Sequence, residues 1–224
     1  MIKTNIIQSD FDRLALLDAD GWDHNSHYHG YLVRQIPLHC EYILEIGCGT
    51  GSFSRQLSQY AGGIVALDLS PMMIEVARQR SSSYPNIEYQ VADAGRWEFP
   101  REKFDCIVSI ATLHHLSLEH SIQKMKFALK ANGVIVVLDL YEAEGFGDVM
   151  RNLIAVPVHT FLRLKNTARL REPEEVRQAW TRHGEHDTYF RGSAVRHICQ
   201  ELLPGAVIKK HLLWRYSIVW RKPA

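Results

Sequence analysis

The sequence predicts an α/β fold: a doubly wound, mostly parallel seven-stranded sheet that ends in an antiparallel C-terminal hairpin strand. Three observations predict it. From residue 42 short apolar runs alternate with amphipathic stretches, the pattern of repeated strand–helix units. The runs are β-branched and nearly continuous, as in strands covered on both faces. Finally, two apolar runs at 206–213 and 215–221 follow each other too closely for a helical crossover, so they are expected to pair antiparallel.

In chain order, strands are expected at 42–46, 63–68, 86–91, 104–110 and 133–139. Helices are expected between them in SFSRQLSQY, PMMIEVARQRSSS and EHSIQKMKFALK, where apolar residues recur at three and four spacing. Pro71 after Ser70 marks a helix start, and Ala131-Asn132-Gly133 reads as a helix stop. Two segments fall outside the repeat, 1–41 and 142–192. The second carries an apolar stripe with basic residues, expected to break at Pro157, and then a short helix from Pro173 to Gly184. No linker rich in Pro, Gly and Ser divides the chain, so 1–224 reads as one domain.

Composition narrows the function. Of 224 residues 46% are hydrophobic and 23% charged, which excludes a disordered or fibrous protein. Four cysteines without a C-x-x-C pair suit a reducing compartment, and the acids in the amino-terminal stretch argue against a signal peptide. No apolar run approaches the roughly 20 residues of a membrane span. A cytoplasmic location is therefore expected. The net charge of +1 gives no global case for nucleic acid. Residues 1–150 nevertheless hold 12 Lys/Arg against 19 Asp/Glu, and 151–224 hold 14 against 6, so any basic surface lies in the last third.

The main chemical signal is Glu45-Ile46-Gly47-Cys48-Gly49-Thr50-Gly51, a glycine-rich turn after a strand and before a helix. Glycines accept positive φ and let a ligand approach the backbone, while a helix start presents free N–H groups. The dinucleotide fingerprint would need Gly at 52, where Ser52 stands, and no Lys follows for a phosphate loop. Asp68 ends the next strand, where an acid can accept from both hydroxyls of a ribose; capping the following helix is the alternative. If the fourth strand returns beside the first, the crevice between them opens at Gly47–Gly51 and at Ser109–Leu116, the switch point where such sheets bind ligands.

With these residues in place the chain resembles the class I S-adenosylmethionine-dependent methyltransferases, of the small-molecule, type 11/12-like kind. Glu45, Gly47, Gly49 and Gly51 match their first motif, (D/E)-x-G-x-G-x-G. The resemblance implies the Rossmann-like methyltransferase fold and S-adenosylmethionine as donor, with S-adenosylhomocysteine as product. It implies that the turn, Cys48 and Thr50 included, wraps the methionine portion. Leu69 and Met73 would cover the adenine, ordinary core packing being the alternative for Met73. Asp93 and Ala94 would meet the adenine edge, against a local turn. Residues 1–41 and 142–192 then match a lid and a substrate-side helical insertion. Tyr28 and Tyr31 are the lid candidates for a cation–π face near the sulfonium, or else part of an amphipathic helix on the sheet.

Methyl transfer needs alignment more than a nucleophile, and a base only where the acceptor loses a proton. His114 and His115 after the fourth strand are the base candidates, with packing or cofactor support as the alternative. The loop from His186 to Phe190 is expected to border the acceptor pocket, a loop held by Asp187 being the alternative. No metal is expected, because neither His24 with His27 nor His183 with His186 has further ligands at zinc spacing. A small-molecule acceptor with an apolar portion fits the apolar stripe, which also suits peripheral lipid contact. RNA is disfavoured because Ser109-Ile110-Ala111-Thr112 replaces the amino-methyltransferase tetrad, and DNA is not expected. A donor-binding protein without catalysis would show the same motifs.

Overall fold

The computed structural model describes residues 2–17, 22–185 and 187–224. Eight strands form one sheet: β1 (Cys40–Ile46), β2 (Ala61–Asp68), β3 (Ile87–Val91), β4 (Phe104–Ile110), β5 (Leu129–Glu142), β6 (Phe190–Arg191), β7 (Val207–Lys210) and β8 (Arg215–Arg221). The order is β3-β2-β1-β4-β5-β8-β7, with β6 added along the end of β5. All pairs are parallel except β5 with β8 and β7 with β8. The reversal between β1 and β4 creates the expected crevice.

Successive side chains of β1 divide between the two faces. Ile43 joins a core with Phe53, Leu57 and Ile74, whereas Leu44 and Ile46 join one with Ile122, Met125 and Val195. Helices α3 (Ser52–Leu57) and α4 (Pro71–Arg80) therefore lie on one face, and α5 (Leu118–Ala128) and α8 (Gly192–Leu202) on the other. The remaining helices are α1 (Ile2–Leu17), α2 (His29–Val33), α6 (Gly145–Thr167) and α7 (Glu174–Gly184). Ser70 caps α4 by accepting from Met73 N at 3.0 Å, with Pro71 in the first turn.

Four expectations need correction. The sheet has eight strands, because Phe190–Arg191 pairs in parallel with Tyr141–Glu142. Helix α5 stops at Ala128, and Asn132, at φ 62°, marks an irregular place inside β5 instead of a helix stop. The hairpin strand reaches only Lys210, since Leu213 and Trp214 take φ of 56° and 60° to make the turn. Helix α6 also runs through Pro157 unbroken. A proline removes one N–H but leaves its neighbours' helical bonds available, and both flanking turns are anchored by inward residues such as Asp148, Ala155 and Arg163.

Candidate active site

The glycine turn is shaped by what stands beside it. Gly47 and Cys48 N both donate to Leu67 O on β2, at 2.8 and 2.9 Å. A Cβ on Gly47 would fall 1.9 Å from Thr112 Oγ1, and one on Gly51 2.3 Å from the Tyr89 hydroxyl, both at φ 75°. Gly49 differs: a Cβ there would meet nothing within 4 Å. The turn is thus packed at its two ends and open at its centre. Arg55 holds the Thr50 carbonyl at 2.9 Å, and the Cys48 thiol is buried.

Asp68 joins this open centre. Its Oδ2 accepts from Gly49 N at 2.8 Å and its Oδ1 from Ser70 N at 2.9 Å, so each oxygen retains a lone pair. Burial pushes its carboxyl above the ordinary value, against the pull of these N–H groups. Asp68 O accepts from Ala92 N at 2.8 Å, which brings the β3 tip alongside. There Asp93 accepts from Gly95 N at 2.9 Å, and Lys124 binds the Ala94 carbonyl at 3.1 Å. Gly49, Asp68 and Asp93 therefore occupy three adjacent strand tips. An open turn centre next to a carboxylate with spare lone pairs fits the polar end and sugar of the nucleoside donor that the resemblance implies.

Other candidates are placed differently. Glu45 is buried under the turn, where it accepts from Ser54 Oγ of α3 at 2.5 Å. Burial raises its carboxyl to about 8. Ser109 is also buried and donates to Ile46 O at 3.2 Å, tying β4 to β1 in the crevice. Leu69 is half-buried, and Met73 packs with Leu14 and Ala15 of α1. Tyr28 donates to Leu212 O at 2.6 Å, and Tyr31 lies 3.3 Å from Ser217 Oγ, both rings beside His211. These tyrosines fasten the amino-terminal segment to the hairpin on the face that carries α3.

His114 and His115 stand in a short 3₁₀ turn at the tip of β4. His114 Nδ1 is 2.6 Å from Oδ1 of Asp139 on β5, whose Oδ2 accepts from His114 N at 3.1 Å. Asp139 is fully buried. On the other side Asp187 faces three imidazoles: His114 Nε2 at 3.8 Å, His115 Nδ1 at 3.4 Å and His183 Nε2 of α7 at 3.5 Å. His183 Nδ1 in turn faces Asp10 of α1 at 3.4 Å, and Phe11 packs edge-on against His115 and His183. The next residue, Asp12, accepts from Ser70 Oγ at 2.5 Å and from Met72 N. One turn of α1 thus touches both the donor side and the histidine cluster.

Asp139 and Asp10 are not candidates in the sequence, whereas His183 is weighed there only as a metal ligand with His186 and Asp187 only as the residue holding its loop. Of the loop at 186–190, Asp187 and Tyr189 lie beside His114, and His186 lies outside the described residues. Of the pairs weighed as metal ligands, His24 with His27 is not brought together as one: His24 Nε2 meets His159 Nδ1 at 2.7 Å, with Trp22 and Trp214 around them. A separate surface hollow of about 550 Å³ between Gly95–Phe99 and α5 shares no lining residue with the turn or the cluster.

Comparison with known proteins agrees with this geometry. Residues 43–133 match the profile of a methyltransferase domain. The chain is 25% identical over 203 residues to an uncharacterised methyltransferase of Mycobacterium tuberculosis, covering 90% of this chain and 98% of that one. It is 44% identical over 101 residues to a malonyl-[acyl-carrier protein] O-methyltransferase of a Paenibacillus species, or 42% of this chain and 37% of the relative. The fold is that of the N-methyltransferase NodS from Bradyrhizobium japonicum in complex with S-adenosylhomocysteine, with a TM-score of 0.66 at 20% identity over 97% of this chain and 99% of the other.

Proposed function

Because the chain is a class I S-adenosylmethionine-dependent methyltransferase, we propose that it methylates a small molecule with an apolar portion, at an atom that loses a proton in the reaction. When bound, the donor supplies an activated methyl group on a sulfonium. The chain's own residues hold, align and enclose. In this reading Gly47–Gly51 receive the methionine end, Asp68 the ribose, and Asp93 with Ala94 the adenine. Leu69 and Met73 lie beside them.

One observation carries the acceptor assignment: the His114–Asp139 pair is almost wholly buried at the β4 and β5 tips, under side chains from both segments outside the repeat. Side chains of Asp10, Phe11, His183 and Asp187 pack around the pair, an enclosure that suits a small molecule better than a polymer. Asp139 fixes the proton of His114 on Nδ1 and leaves Nε2 to accept one, so the cluster takes up the acceptor's proton. The apolar portion is supported by α6, which turns Phe146, Leu153, Val156 and Phe161 to solvent among basic residues. The four buried, unpaired thiols favour a reducing compartment, and no helix among the described residues is long and apolar enough to cross a membrane.

The test is transfer from labelled donor into fractionated metabolites and, separately, into RNA. Label in a small-molecule fraction, with Asp139→Asn lowering kcat/KM about 10²-fold or more at unchanged affinity for S-adenosylhomocysteine, is the expected outcome. Label only in RNA refutes the acceptor class, and undiminished turnover by the variant refutes the role of the pair.

A further inference from the structure

We propose that His114, His115 and Asp187 bind a divalent cation of the zinc class beside the acceptor, with His183 closing the site next to Asp187; this rests on the reading that the cluster faces the acceptor. The geometry around Asp187 is the first reason. With Asp139 on its Nδ1, His114 presents the lone pair of Nε2 to Asp187 Oδ2 at 3.8 Å. His183 stands between two carboxylates, its Nδ1 3.4 Å from Asp10 and its Nε2 3.5 Å from Asp187. His115 Nδ1 is 3.4 Å from the other oxygen of Asp187.

These separations run from the margin of a hydrogen bond to beyond it. They match the spacing of ligand atoms around one ion: bonds of about 2.1 Å in tetrahedral geometry place neighbouring ligands about 3.4 Å apart. One donor atom each from His114, His115 and Asp187 all lie within 4.8 Å of one another.

Charge is the second reason. Asp187 is 5% exposed, and among the described residues its ion-pair partners are all histidines, with no Lys or Arg. A buried carboxylate needs a positive partner, and no lysine or arginine among the described residues supplies one. Tyr189 donates a single hydrogen bond to it at 3.1 Å. A cation supplies the missing charge. Two imidazole nitrogens and one carboxylate, with a fourth position open, are a donor set suited to zinc.

The surroundings complete the arrangement. Metal-bound imidazoles characteristically give their other ring nitrogen to a carboxylate, and here Asp139 does so for His114 while Asp10 faces His183. With the ion in place His114 Nε2 is a ligand, and the acceptor's oxygen or nitrogen becomes more acidic by taking the open position on the cation. Its proton passes within the cluster to His183, which stands between the Asp10 and Asp187 carboxylates. The three ligands come from the turn after β4 and from the loop before β6, which is why no zinc spacing is visible in the sequence.

The experiment is calorimetric titration of the chelator-treated full chain with zinc ion alone. One equivalent is expected, bound at least tenfold more weakly by Asp187→Ala and His183→Ala, and about 10- to 100-fold more weakly by Asp139→Asn. Asp68→Ala should bind zinc as the parent does. Affinity for S-adenosylhomocysteine verifies that the Asp187, His183 and Asp139 variants are folded, a cooperative thermal unfolding transition does so for Asp68→Ala, and the visible absorption of the cobalt-substituted chain gives an independent reading of the site. Absence of stoichiometric zinc binding in a chain that binds S-adenosylhomocysteine overturns the proposal, as does equal binding by all variants. If zinc does not bind while Asp139→Asn still depresses transfer, the metal site falls and the proton-accepting pair stands. If zinc binds as expected but label enters only RNA, the acceptor class falls and the metal site stands.

Discussion

Asp68 and Glu45 show how two acids one strand apart acquire different tasks. Asp68 ends its strand with two backbone N–H partners and lone pairs to spare, so Asp68→Ala should weaken donor binding. A hydrogen bond to a charged group contributes about 1.5–3 kcal/mol, so an increase in Kd of about 10- to 150-fold is expected by calorimetry with S-adenosylhomocysteine. An unchanged Kd removes Asp68 from the donor site. Glu45 is enclosed, and burial raises its carboxyl from 4.5 to about 8. The folded chain therefore retains a proton that the unfolded chain has lost. Its contribution to stability is complete below pH 4.5 and declines as pH rises toward 8, at about 1.4 kcal/mol per pH unit at most. Glu45→Gln keeps an acceptor for Ser54 without the charge. The stability of the variant relative to the parent should grow across that window, and parallel denaturant curves from pH 5 to 8 would contradict the assignment.

Among the elements, the segment around Trp22–His27, helix α6 and the β7–β8 turn meet through His24, His159 and Trp214. Burial, followed by the nearby Arg215, lowers His24 from 6.5 to about 3. A base lowered in this way stabilises the fold above pH 6.5 and loses that contribution as the pH falls toward 3. Acidification from pH 7 to 5 should therefore loosen α6 against residues 22–27, seen as faster hydrogen exchange there, and His24→Phe should blunt the response. Equal acceleration in both proteins would place the sensitivity elsewhere. Helix α6 also shows where pattern reading stops. Pro157 signals a break, yet inward residues on both sides of it hold one continuous helix. Likewise Asn132-Gly133 reads as a helix stop, but cross-strand pairing with β4 and β8 draws this stretch into β5.

At the scale of the whole molecule, α1 links the donor side to the acceptor side through Asp12 on Ser70, Phe11 on two imidazoles and Asp10 on His183. Helix α7 packs against α1. Asp12→Ala should accordingly speed exchange in α1 and α7 together and leave the central strands β1 and β4 unchanged; α1 loosening alone would separate the two helices. The sequence by itself determined the order of strands and helices, the glycine turn at Gly47–Gly51 and the acids at the tips of β2 and β3. All of these depend on local spacing and on backbone conformations that few residues accept. Only the tertiary structure decided that Asp10, His114, Asp139, His183 and Asp187 form one cluster, and that Tyr28 and Tyr31 turn to the hairpin. These residues come from separate parts of the chain, and their contacts depend on how two insertions fold back over the sheet, a long-range arrangement that no short-range periodicity encodes.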